Sequence, residues 1–278
     1  GALSRADALD KNLRQASKSV GNAHYAAITA TVLRQAFAAT ELVGSTSNPL
    51  LFLEEISSDD NVQTVDVMYP SMPAFLYMNP ELLRYMLEPV IEYSESGYWP
   101  EPFSPHDLGS SYPNADGHDD GGGENMPVEE TANMLIMADA YMQHTTQPKA
   151  AAYALQHYRL FKQWADYLLS YPAPNAKEFP YPNALDPQYQ NQTDDFTGRI
   201  AHSVNLALKG IEAVGAMAQI ADYAGKTAQA KHYRSRAETM IGKWATMAQS
   251  SDGSHLLLQY KDCLLYTSDA ADEGLGGG

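Results

Sequence analysis

The sequence is short of basic residues, nearly empty of cysteine and free of long apolar runs, and each shortage removes a class of function. Eighteen Lys and Arg face 34 Asp and Glu, a formal net charge of −16. A field of that sign repels nucleic acid and anionic lipid, which recruit Lys/Arg clusters, so neither is expected as a partner. No apolar stretch reaches the ~20 residues that cross a bilayer, so no membrane span is expected. The one cysteine is Cys263, which leaves no internal disulfide and no thiolate metal site. A G-x-S-x-G elbow, a phosphate-binding glycine motif and an H-E-x-x-H helix are also missing. Serine and zinc hydrolysis of the common kinds therefore lack a signature, and no metal or cofactor is expected.

The two ends stand apart from the rest. Cys263 to Glu273 resembles the translation of a sequencing-library adaptor, with a remnant from Gly274 to Gly278 behind it. Residues 263–278 are accordingly expected to be a non-native tail that adds no stability, with residues 1–262 as the structural unit. Position 1 is Gly rather than Met, and the chain reads as a fragment of a longer protein, truncated at both ends.

Hydrophobic residues make up 44% and charged residues 19%, ample for a core and without a compositional case for disorder. Apolar spacings of three and four recur, whereas sustained alternation is scarce, which predicts helices. One carries Tyr25, Ile28 and Val32. Another carries Leu83, Leu87 and Val90 behind an Asn79 cap and Pro80 at the first helical position, with Pro89 as a kink. Others run from about Pro127 to Gln143, through Tyr153, His157, Leu160, Trp164 and Leu168, from a cap at Thr193 through Val204, Leu208 and Ile211, and from about Ala228 to Gln249. Long loops separate them: residues 97–125, rich in Gly, Pro, Ser and Asp, and residues 171–192, which hold five prolines. Loops of that length in a compact domain are characteristically functional or disordered. The expected fold class is all-α, an incomplete (α/α)6 six-hairpin toroid whose long loops gather around a funnel.

Four acidic strings offer chemistry. Residues 54–66 include Glu54, Glu55, Asp59, Asp60 and Asp66; acids in unlike environments supply an acid and a base, while a solvated turn before a helix is the plainer reading. His106 and Asp107 form a pair able to shuttle a proton, or a turn in which Asp107 caps local amides. Residues 116–124 present Asp116, His118, Asp119, Asp120 and Glu124 among glycines, with spacing that misses the EF-hand pattern. Glu129 and Glu130 follow Pro127 in a first helical turn, as Asp194 and Asp195 follow Thr193, and such acids either face a funnel or complement the helix dipole. Asn191-Gln192-Thr193 is a glycosylation acceptor.

Seven strings in order, Thr40 to Val43, Phe52 to Asp59, Thr64 to Val67, His106 to Gly109, Tyr112 to Ala115, Met126 to Glu130 and Asn205 to Gly210, resemble the central domain of the fungal-type glutaminase A family. The resemblance implies a six-hairpin helical toroid in a secreted multidomain protein with an upstream β-sandwich domain, and hydrolysis of glutamine to glutamate and ammonia. No Ser, Thr or Cys nucleophile has a recognisable activating setting, so a carboxylate must activate water and a second acid or His106 must protonate the departing amine. Glu130 and Asp107 are the expected acid and base, His106 the proton shuttle, and Glu54, Asp59, Asp66, Glu129 and Asp195 the expected contacts to a small-molecule, glycan or peptide substrate. Two carboxylates across a funnel also suit glycoside hydrolysis, and a non-catalytic saccharide- or peptide-binding module is the third class.

Overall fold

The computed structural model of the chain describes residues 1–56, 60–169, 184, 185, 187, 200 and 202–260. Asp59, Asp195, the cap at Thr193, the acceptor at Asn191 and the tail 263–278 lie outside the described residues. Among those described, nine helices and one two-stranded sheet follow one another as α1 (Ala2–Val20), α2 (Ala23–Ala38), β1 (Thr40–Gly44), β2 (Pro49–Leu53), α3 (Val65–Met78), α4 (Pro80–Ser96), α5 (Pro127–His144), α6 (Gln147–Gln156), α7 (Tyr158–Leu169), α8 (Val204–Tyr223) and α9 (Thr227–Met247).

Helix starts obey local chemistry. The Asn79 side chain accepts from the Glu81 N–H and Pro80 opens α4. Asn22 accepts from His24 and Tyr25 at the start of α2, and Ser203 accepts from Leu206 at the start of α8. These caps satisfy N–H groups that have no partner inside the helix. Successive helices then fold back as hairpins, α1 on α2, α3 on α4 and α8 on α9, while α5 packs against α3, α4, α6, α7 and α8. It is the central element, and Met134, Leu135, Met137 and Ala138 have no exposed surface. Burial of a side chain of leucine or methionine size stabilises by about 1.5–3 kcal/mol over leaving it in water.

Two local departures from the sequence reading have physical causes. The periodicity from Tyr153 to Leu168 is interrupted at His157, which separates α6 from α7. His157 is buried and its imidazole lies 3.1 Å from Glu95 and 3.6 Å from Glu88, so a tertiary contact with two carboxylates coincides with the bend. The all-α plan also includes an antiparallel β-hairpin with Thr40 opposite Leu53 and Gly44 opposite Pro49. Leu51 and Leu53 are buried in the core, and Gly44 has φ +85 at a point where a Cβ would lie 2.4 Å from the Asn48 carbonyl oxygen. Only glycine fits that turn.

Candidate active site

Three segments distant in sequence are stitched together by backbone and hydroxyl hydrogen bonds. The Val62 N–H donates to the Gly109 carbonyl at 2.8 Å, the Leu108 N–H donates to the Val62 carbonyl at 2.8 Å, and the Val65 N–H donates to the His106 carbonyl at 2.9 Å. This short ladder lays residues 106–109 along the entry to α3. The Ser104 N–H donates to the Thr131 hydroxyl at 3.0 Å, tying the same loop to the first turns of α5. Asp66 in the first turn of α3, His106 on the loop and Glu130 in the first turn of α5 consequently meet, each offering an atom within 4.8 Å of the others.

The cluster is deeply set. Glu130 and His106 are buried, and the Asp66 side chain keeps 11% of its surface exposed. His106 Nδ1 lies 2.7 Å from Asp107 Oδ2. An ionised carboxylate can only accept, so Nδ1 carries a proton, and Nε2 faces Asp66 Oδ1, 3.8 Å away. Asp107 is held in turn by the Gly109 N–H at 2.6 Å and by His118 Nε2 at 2.7 Å. One side chain thus both closes a local turn onto Gly109 and holds the His106 ring.

Burial would raise the Asp107 carboxyl, but the hydrogen bonds from His106 and His118 outweigh it and hold the group below the usual carboxylate range. Burial would likewise lower His106, yet the Asp107 hydrogen bond with the Glu130 and Asp66 charges pushes it up to about 10. Glu130 is raised well above an ordinary glutamate, first by burial and then by the Asp66 charge. Groups this close exchange protons as one unit.

A second acid–base group adjoins the first. Lys209 of α8 pairs with the buried Glu129, its ammonium 4.5 Å from the centre of the Tyr69 ring. Asn133, one turn further along α5, donates to Glu130 Oε2 at 3.1 Å and to Glu129 Oε1 at 3.4 Å. Nothing in local spacing marks Lys209, Asn133 or His118 as part of this neighbourhood, since each arrives through tertiary packing. The structure places Glu54 elsewhere: it bridges Val62 across the chain and its charge acts on Tyr112, whose hydroxyl donates to Glu41 at 2.9 Å. In the run 116–124, Asp119 accepts from the Tyr93 hydroxyl and Asp120 accepts from the Gly122 N–H, so these acids shape the loop that delivers His118.

The glutaminase A six helical-hairpin domain family matches residues 22–268, a span that begins after α1 and overlaps the start of the tail described above. Glutaminase A of Aspergillus oryzae (strain ATCC 42149 / RIB 40) is 40% identical over 254 residues, which cover 91% of this chain and 35% of that protein. A probable glutaminase of Arthroderma benhamiae (strain ATCC MYA-4681 / CBS 112371) is 37% identical over an alignment 289 positions long, which covers 85% of this chain and 32% of that protein. The chain therefore spans about a third of the length of these curated relatives.

Proposed function

Since the chain belongs to the glutaminase A six helical-hairpin domain family, we propose that it carries the reacting centre of a glutaminase-like hydrolase, built on Asp66, His106 and Glu130. The observation that carries this reading is the convergence of the three side chains, from three separate segments, onto atoms within 4.8 Å. Water attacking the side-chain amide carbon of glutamine must lose a proton, and the departing nitrogen must gain one before it leaves as ammonia. Two carboxylates and an imidazole coupled this closely can take up the first proton and return the second as a unit. Asp107 acts behind them by holding the His106 ring, a positioning role that its clamp by Gly109 and His118 supports.

The relatives are about three times as long as this chain, so the activity is proposed for the longer protein. An extracellular location and an adjoining β-sandwich domain belong to the same proposal, on the strength of the resemblance. Glycoside hydrolysis remains the competing class, and in that case a carboxylate separation this small favours a retaining over an inverting course.

The test is ammonia release from glutamine by the full-length protein. Glu130→Gln is expected to cut turnover by at least ~100-fold, the scale of a lost acid–base group, with the exposed α9 substitution Glu238→Gln as an unaffected control. Near-native turnover in Glu130→Gln would remove this cluster from the reaction. Release of sugar rather than ammonia would assign the chain to the glycosidase class, and ligand binding without turnover to a binding module.

A further inference from the structure

We propose that Asp66, His106 Nε2 and Glu130 bind one divalent first-row transition ion of the Zn²⁺ or Mn²⁺ kind. This adds a cofactor to the site on which the hydrolase reading rests, and the experiments below separate the two. Among the described residues this is the one group of three or more ligand-type side chains gathered closely enough to share an ion.

Three independent features point to a cation. The first is donor geometry. In a tetrahedral shell with bonds of ~2.1 Å, neighbouring donors lie about 3.4 Å apart, and His106 Nε2 and Asp66 Oδ1 already stand at 3.8 Å. The remaining donor separations, up to 4.8 Å, would close by side-chain rotation on binding, and three protein ligands leave a fourth position for water, the pattern of a catalytic rather than a structural site. The second is Glu130, which has no exposed surface and whose Oε1 has no hydrogen-bond partner among the described residues. A buried carboxylate oxygen without a donor is costly unless something positive meets it. The third is the support behind the imidazole. Metal-binding histidines characteristically donate their other ring N–H to a carboxylate, which fixes the tautomer and aims the free nitrogen at the ion. Asp107 accepts from His106 Nδ1 at 2.7 Å and is itself fixed by Gly109 and His118.

Donor chemistry selects the class of ion. One imidazole nitrogen with two carboxylates suits Zn²⁺ or Mn²⁺, whereas Ca²⁺ prefers six to eight oxygens in a roomier, wetter shell. The sequence conceals the site because its ligands lie 40 and 24 residues apart, at Asp66, His106 and Glu130, with no short ligand motif.

The chain stripped with a chelator and dialysed is titrated calorimetrically with Zn²⁺, Mn²⁺ and Ca²⁺, and with Co²⁺ followed by its visible absorption. One transition ion per chain is expected, with Ca²⁺ binding at least ~10-fold weaker. Asp66→Asn and Glu130→Gln should each weaken the ion by at least ~10-fold. Asp107→Asn should weaken it ~10–100-fold with the stoichiometry kept, as for other supporting carboxylates. Because Asp66 retains contact with solvent, its amide variant decides the matter if Glu130→Gln fails to fold, as judged by circular dichroism. An absence of saturable binding, a preference for Ca²⁺, or affinity unchanged in the Asp66 variant overturns the site. In the full-length protein, ammonia release that persists in chelator with no ion bound overturns the ion's part as a cofactor and keeps the hydrolase; one bound ion without ammonia release keeps the ion and overturns the hydrolase.

Discussion

Asp139 illustrates how a single buried acid couples stability to pH. It lies on α5 with one oxygen accepting from Gln143 Nε2 at 2.7 Å and the other without a partner among the described residues. Burial pushes its carboxyl up to about 6, only partly offset by Gln143. The folded state therefore binds this proton more tightly than the unfolded chain does. That contribution is full below the unfolded value near 3.9 and is lost as pH rises through about 6, on the order of 3 kcal/mol across the window. Asp139→Asn should abolish this slope, so that its stability relative to the native chain improves between pH ~4 and pH ~7. Denaturant melts at both ends of the range check it, and parallel curves for the two proteins would contradict it. Other titrating groups, the Asp66 cluster included, are common to both proteins and cancel in the difference.

Among the elements, α5 does most to connect the fold with the site. Pro127 starts it, Glu129 and Glu130 occupy its first turn, and Asn133 follows one turn on. Its partner α8 is tightest at Gly210, where an added Cβ would lie 3.0 Å from the Ala184 Cβ, with Val128 of α5 at an ordinary 3.4 Å. Gly210→Leu should therefore collide with Ala184 and crowd the α5 face of α8 at a cost of about 1–3 kcal/mol, lowering the melting temperature by ~2–4 °C per kcal/mol for a chain of this size. Gly210→Ala should do less, since only one carbon needs accommodating. A leucine variant that melts with the native protein would show that this contact can relax.

At the scale of the molecule, the apolar face of α2 is the conspicuous surface. Ile28 is 61% exposed and Val32 53%, and with Leu13, Val20, Tyr25 and Tyr77 they line a groove of about 500 Å³ between α1, α2 and α3. Contiguous exposed apolar surface of this kind attracts apolar probes. The chain on its own should bind an environment-sensitive hydrophobic dye there, and the double change Ile28→Ser with Val32→Ser should reduce that fluorescence severalfold. Because substitutions at exposed positions usually change stability by no more than ~0.5 kcal/mol, the melting temperature should hardly move. Undiminished fluorescence would place the dye elsewhere.

The residue sequence by itself marked α2, α4, α5 and α9 and the starts of α4 and α5, because periodicity, Asn79, Pro80 and Pro127 act over a few bonds; it did not mark α1 or α3, and α8 starts at Val204 behind Ser203 rather than from a cap at Thr193. It also marked His106, Asp107 and Glu130 as chemically interesting, as polar groups in loop-to-helix positions. It did not show that Asp66, rather than Glu54 from the same acidic string, would meet His106, since the ladder between residues 62–65 and 106–109 is a long-range pairing with no local signature. It set Glu130 apart from Glu129 as the expected acid, but local spacing supplies no geometric reason for that choice. Neighbours on a helix point about 100° apart, and which of them faces Lys209 and which the His106 cluster was decided by the packing of α5 between α3 and α8. The break at His157 and the β-hairpin have the same origin: local propensity is worth tenths of a kcal/mol per residue, and the contacts of a buried side chain outweigh it.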